Sequence, residues 1–257
     1  MALTLANRAS PRHTAKTASP EGRSHRKSSC RIDGAKARVT ESTLKTAVLV
    51  VYDQPTLRES YVAAIKALTP FNAARVSCAE EALREAGRTE FAAFLLDARL
   101  PRKANAAPSF SDGHDLLVAV HQGWPRAPIL VASVVWTPFL LWSSVRNGAA
   151  GVLRDDIDFP ELAEAVVRAV RTGTFRARDD ERQLEMMDGL NITAADRNIL
   201  LMKREGLSHQ DIADSLSISR HTIRSHFQKL AGKFGVDGEN EGAIVRRASE
   251  LGVLQFP

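Results

Sequence analysis

The stretch Gly206-Leu-Ser-His-Gln-Asp-Ile-Ala-Asp-Ser-Leu-Ser-Ile-Ser-Arg-His-Thr-Ile-Arg-Ser-His-Phe-Gln-Lys-Leu230 reads as two short helices joined by a tight turn. Ser208 followed by Asp211 has the spacing of a capping box, in which the hydroxyl and carboxylate satisfy each other's backbone N–H groups at a helix start. Ile212, Ala213 and Leu216 then fall on one side before Ser217-Ile218-Ser219 stops the helix. The second helix carries Ile223, Phe227, Leu230 and Phe234 at spacings of four, three and four, an apolar stripe to be buried. Its other side presents His221, Ser225, Gln228 and Lys229, with Arg224 at the flank. No acidic residue occurs between Ser215 and Val236, while Arg220, Arg224, Lys229 and Lys233 supply positive charge. Carboxylates would repel phosphates, so an acid-free, donor-rich helix after a tight turn suits the DNA major groove. The plainer account is a helix in a bundle with a solvated basic face. Charge and periodicity alone leave both readings open.

Upstream, the pattern changes to apolar strand and helix in alternation. Ala47–Val51 is a β-branched run, and Pro55–Leu68 carries Leu57, Tyr61, Val62, Ile65 and Leu68 at helical spacing. Strands are expected near Ala73–Val76, Phe91–Leu96, Ile129–Ala132 and Gly151–Leu153. Helices are expected from Ala79 to about Ala86, near Asp112–Gln122, and over Pro138–Asn147 and Pro160–Arg171. Near-continuous apolar strands need helices on both faces, so five such alternations predict an α/β doubly wound five-stranded parallel sheet. An all-α domain follows it. Trp136, Phe139, Leu140, Leu141 and Trp142 make the fourth-helix region unusually apolar. A dimer face and the wall of a small-molecule pocket are both open readings there, with core packing the simpler account of any single side chain.

Residues 1–43 are rich in Ser, Thr, Ala and Arg and lack apolar periodicity, which predicts a disordered basic tail. Nine basic side chains against three acidic ones give it a net +6, so the rest of the 257-residue chain sums to −1. The basic charge of the chain is thus mainly the tail's and does not itself establish nucleic-acid binding. The start also resembles an organelle transit peptide, although Pro11, Pro20 and Gly22 break any amphipathic helix. The expected organisation is the tail (1–43), an α/β module (44–172), a charged linker (173–189) and the helical domain (190–257). No apolar run approaches the ~20 residues needed to cross a bilayer. The two cysteines, Cys30 and Cys78, predict no disulfide framework and a cytoplasmic protein.

Ile192-Thr193 before Asp196, Gly206-Leu207-Ser208, Asp211-Ile212-Ala213, and Thr222-Ile223-Arg224-Ser225-His226 through Lys233-Phe234-Gly235-Val236 closely resemble the LuxR-type helix-turn-helix domain. The resemblance spans residues 190 to about 254. It departs at Ala195, where a basic residue is common, and at Phe234, where leucine is usual. It implies that Arg224, Ser225 and Gln228 face base edges, with Ser219, Thr222, Lys229 and Lys233 on phosphates and Arg220 adding charge. Arginine can pair bidentately with guanine and glutamine with adenine. His226 is expected toward the buried edge. The last helix, about Glu241–Leu251, is the expected dimer contact.

The module before it resembles the receiver domain of NarL/FixJ response regulators. Phe94-Leu-Leu-Asp97-Ala-Arg-Leu-Pro101 matches the phosphoacceptor signature with Asp97 at a strand end, where such folds place their chemistry. Ser133 matches the switch Ser/Thr, and Gly148–Gly151 the turn before the fifth strand. Phosphoryl transfer to aspartate needs a divalent cation on oxygen ligands and a positive charge near the phosphoryl oxygens. The resemblance puts an acidic pair after the first strand and a lysine after the fifth. Here the pair reads Tyr52-Asp53, the lysine position falls on Asp155 with Arg154 one place early, and the aromatic switch position is Val152. Residues 102–112 also make an unusually long loop. Tyr52, Asp53, Ser133 and Asp155 are the expected pocket residues.

Two readings of control follow. Asp97 is phosphorylated by a histidine kinase, with Asp53 and Asp97 holding a weak Mg²⁺ and Arg154 replacing lysine. In the other, the receiver is degenerate and answers to a small-molecule ligand or a partner, and no cofactor is needed. The substitutions favour the second. The chain is expected to be a sequence-specific transcription regulator, homodimeric on double-stranded DNA, without a membrane or enzymatic role; the rival is a protein-interaction adaptor that has lost its operator.

Overall fold

The computed structural model describes residues 47–154, 156–237 and 240–255. The tail read as disordered lies outside these residues. Five strands, β1 (Ala47–Val51), β2 (Asn72–Val76), β3 (Ala93–Asp97), β4 (Ile129–Ser133) and β5 (Gly151–Arg154), pair in parallel in the order β2-β1-β3-β4-β5. Parallel strands need crossovers, supplied by α1 (Pro55–Leu68), α2 (Ala79–Ala86), α3 (Phe110–Gly123) and α4 (Pro138–Arg146); α5 (Phe159–Thr172) follows the last strand.

Strand neighbours point to opposite faces, so each strand feeds two cores. Val48, Val50, Leu95, Leu130 and Leu153 pack with Tyr61 and Ile65 of α1 and Leu162 and Val166 of α5. Leu49, Phe94, Leu96, Ile129 and Val131 pack with Ala82 of α2, Leu116 and Val120 of α3 and Leu140 of α4. Fully burying each large apolar side chain contributes about 1.5–3 kcal/mol. The long loop after β3 is ordered by its own backbone. Leu100 and Ser109 pair across it, and the carbonyls of Pro101 and Arg102 accept from the N–H groups of Ala79 and Glu80 at 3.1 and 3.0 Å. They cap α2, whose N-cap Cys78 makes no side-chain capping bond. Gly113 lets α3 start against this loop, because a Cβ there would lie 2.2 Å from the Ala98 carbonyl oxygen.

Most of the stretch expected as a linker is helix: α6 spans Asp180–Leu190. It is polar enough to lack a clear apolar stripe in sequence, and it is held instead by tertiary contact along α4. Met187 is buried there. Trp142 Nε1 donates to Asp188 Oδ1 at 2.7 Å, and Arg146 Nη2 lies 2.5 Å from the same carboxylate. The rest is α7 (Ala194–Arg204), α8 (His209–Leu216), α9 (Arg220–Phe234) and α10 (Glu241–Glu250). The turn after α10 returns to α4: Phe139 N–H donates to Leu251 O at 3.0 Å. Arg197 of α7 sits over the Phe139 ring at 5.1 Å and donates from Nε to Val253 O at 3.1 Å. The apolar α4 face is thus covered by the chain's own C-terminal module, in a core that runs through both.

Gly252 sits at the closest point of this contact. Its φ of +84° suits glycine, and a Cβ on it would lie 2.1 Å from Thr137 Oγ1. That oxygen caps α4 by accepting from Leu140 N–H at 3.1 Å. Gly252→Ala is therefore expected to cost about 1–3 kcal/mol, as overpacking does. It should lower the melting temperature and enlarge the radius of gyration in small-angle X-ray scattering as the two modules part.

Candidate nucleic-acid interface and receiver pocket

The helix-turn-helix is set by its caps. Ser208 Oγ accepts from Asp211 N–H at 3.2 Å while Asp211 Oδ2 accepts from Ser208 N–H at 3.0 Å, the reciprocal box expected from their spacing. Ser217 ends α8 at φ +54°, a left-handed residue that turns the chain sharply. Ser219 then caps α9, its Oγ accepting from Thr222 N–H at 3.0 Å and lying 2.8 Å from Thr222 Oγ1. Ile223, Phe227, Leu230 and Phe234 are buried as the stripe required, together with Ala231.

Ser219, Arg220, Arg224, Gln228 and Lys229 stand exposed, and Thr222 and Ser225 are half-buried. Arg220, His221 and Arg224 line a shallow hollow at the start of α9. The first-turn N–H groups give this end a partial positive charge, so the hollow favours anions. Lys233 is placed differently from the others: its Nζ donates to Asn191 O at 2.7 Å and to Asp196 Oδ2 at 3.0 Å. His226 lies toward the buried edge, Nδ1 3.0 Å from Asp196 Oδ1. A second carboxylate braces the other flank. Glu241 of α10 meets Lys203 Nζ at 2.7 Å and His209 Nε2 at 2.8 Å. The His209 ring stacks on Phe227 with centroids 5.1 Å apart. The exposed face of α9 is legible in the sequence, but the contacts of Asp196 and Glu241 with other helices are not; Asp196 shows there only as a motif residue three after Thr193, the place of a capping-box acid.

Burial by itself would raise the Asp196 carboxyl, but hydrogen bonds from His226, Lys233 and Thr193 outweigh it and hold the group below its ordinary value. A depressed carboxyl contributes its stability above the unfolded value of about 3.9 and loses it as pH falls through the lower folded value. Asp196→Asn should therefore destabilise the chain at pH 7, and urea midpoints should show the gap from wild type closing as the pH drops into the acid range below 3.9.

At the carboxyl edge of the sheet, Asp97 ends β3, is nearly buried, and accepts Arg99 N–H on Oδ1 at 2.9 Å. Ser133 Oγ donates to Val135 O at 3.0 Å and accepts from its N–H at 3.2 Å, closing a local turn. Tyr52 corrects the sequence expectation. It continues the face of Val48 and Val50, so its ring turns beneath α1, fully buried and edge-on to Tyr61 at 5.1 Å, and does not line the pocket. Asp53 follows half-buried. Arg58 Nη1 reaches back to the backbone carbonyl oxygens of Tyr52 and Asp53 at 2.7 and 3.3 Å. Arg154, the cation expected to replace the lysine, is exposed and pairs with Asp156 at 3.0 and 3.2 Å. Asp155 lies outside the described residues. Val152 is buried. Among the described residues no group of three or more His, Cys, Asp or Glu is placed to hold a metal ion.

Comparison with known proteins agrees with the geometry. Residues 191–245 match the family described as bacterial regulatory proteins, luxR family. The transcriptional regulatory protein YxjL of Bacillus subtilis is 23% identical over 226 residues, covering 82% of this chain and 98% of YxjL. The nitrate/nitrite response regulator protein NarP of Escherichia coli is 26% identical over 200 residues, covering 74% and 88%. RcsB of Salmonella enterica serovar Typhimurium, bound to promoter rprA with the phosphomimetic BeF3−, superposes with a TM-score of 0.58 at 18% identity, covering 80% of this chain and 99% of that one. The C-terminal module is thus a LuxR-type helix-turn-helix. With the five-stranded module before it, the chain has a receiver-like fold followed by a helix-turn-helix, and in this it is similar to NarL/LuxR-type regulators. No helix among the described residues is long and apolar enough to cross a membrane.

Proposed function

We propose that this chain is a sequence-specific DNA-binding transcription regulator that acts as a homodimer, and that its receiver-like module works without phosphorylation. The observation that carries DNA reading is the solvent-facing side of α9, where Arg220, Arg224, Gln228 and Lys229 stand exposed with no carboxylate from Ser215 to Val236. Arg224 and Gln228 lie one turn apart and reach neighbouring base edges, while Lys229 and the capping hydroxyls of Ser219 and Thr222 hold backbone phosphates. The dimer contact is assigned to α10, whose Gly242, Arg246 and Glu250 are exposed.

Phosphorylation independence is supported by the strand ends. Position 52 gives Asp97 no second acid, and Arg154 is exposed and paired with Asp156. A phosphoryl group on Asp97 would meet one acid fewer for a metal ion and a cation paired elsewhere, so its charge would be less well offset. Control then falls to a ligand or partner acting on the receiver-like module.

Arg224→Ala should weaken binding to the preferred duplex by about 1–3 kcal/mol and relax preference at one position. A gel shift with unchanged operator affinity would remove Arg224 from the reading face. Incubation with a small phosphodonor and Mg²⁺ should leave the intact mass unchanged, and Asp97→Asn should bind DNA as wild type does. A stoichiometric adduct lost in Asp97→Asn would restore a conventional kinase-driven switch.

A further inference from the structure

Lys233 and His226 are seven residues apart on α9, so they share one line along the helix about two turns long. Gln228 and Arg224 lie about 160° round from that line by the same helical pitch. Both members of the line end on one carboxylate. Asp196, its side chain 6% exposed, takes His226 Nδ1 on Oδ1 and Lys233 Nζ on Oδ2, each at 3.0 Å. Lysine can reach because helical side chains lean toward the N-terminus and its four-carbon stem spans a further turn. Asn191 O takes a second Lys233 donor at 2.7 Å, and Thr193 N–H reaches Asp196 Oδ2 at 3.2 Å. One buried acid therefore closes the start of α7 and grips α9 at two points.

We infer that Asp196 is the positioning residue of the reading helix, and that Lys233 is its strut and not a phosphate contact. The buried stripe alone permits α9 to roll by several degrees, since apolar packing is non-directional. Two charge-assisted hydrogen bonds along one shoulder are directional and fix that roll. The roll in turn sets where Arg224 and Gln228 meet base edges on the opposite flank. Lys233, with donors committed to Asp196 and Asn191, adds no cation to the phosphate-binding set. This inference rests on the DNA-reading assignment above.

The test uses the full chain, a duplex recovered by in vitro selection on the wild-type protein, and a scrambled duplex of the same composition. Dissociation constants are measured across a series of salt concentrations. Each phosphate neutralised adds about 0.9 to the slope of log affinity against log salt. Lys229→Met should lower the slope by about that amount, whereas Lys233→Met should leave it at the wild-type value. Asp196→Asn should cut the ratio of selected to scrambled affinity about tenfold or more. Its scrambled-duplex affinity should not fall, because the released lysine becomes available to phosphates. Asp196→Glu should keep the ratio. A variant that merely unfolds loses both affinities together, so the ratio separates positioning from folding. A slope lowered by Lys233→Met as much as by Lys229→Met overturns the inference, and so does an unchanged ratio in Asp196→Asn. Failure to recover any preferred duplex would instead sink the DNA-reading assignment, and this inference with it.

Discussion

Burial of the α9 stripe is the constraint on which the C-terminal module depends. Ile223, Phe227, Leu230 and Phe234 leave water together, and α9 buries them by packing on α7, α8 and α10. Once that side is fixed, the opposite side must face solvent. The positive, acid-free character of that side then follows from sequence alone. Hydrophobic burial chooses the side but not the fine orientation, and two carboxylates, Asp196 and Glu241, add charged contacts between helices. Each joins helices distant in sequence: Asp196 ties α7 to α9, and Glu241 ties α10 to α7 and α8.

The same logic of one face in and one face out governs the receiver-like module. Alternation along β1 sends Val48, Val50 and Tyr52 to the α1 and α5 side and Leu49 and Val51 to the other. A tyrosine where the receiver pattern has an acid is then not a pocket residue at all. It extends the core by one layer, meeting Tyr61 edge-on as aromatic quadrupoles favour. The loss of the acidic pair and the gain of core packing are one substitution. The inserted loop after β3 is likewise structural, since its carbonyls cap the α2 N-terminus that Cys78 leaves open.

The α4 face joins the two modules. Phe139 and Trp142 are tilted against one another at 5.5 Å, and each meets a different part of the C-terminal module: Phe139 the turn after α10 and Arg197, Trp142 the Asp188 carboxylate. From sequence, a dimer face and a pocket wall are open readings of the aromatics at that helix, with core packing the simpler account of any single one. In the structure α6 and the turn after α10 pack against it. Its polar contacts are local and directional, while its apolar part continues the receiver core without a break.

Periodicity and caps by themselves determined the sheet, its alternating helices, the helix-turn-helix and the outward face of α9, because each is written within a few residues of itself. Helix spacing places Arg224 and Gln228 together whatever the rest of the chain does, and Ser208 with Asp211 closes its box locally. The side to which Tyr52 turns, the helical state of 180–190, the cover over Phe139 and the commitment of Lys233 to Asp196 were decided by tertiary structure. These depend on groups brought together from tens of residues apart, such as Trp142 with Asp188 or Lys233 with Asn191. A sequence pattern states which surfaces must be buried; only the folded chain states against what.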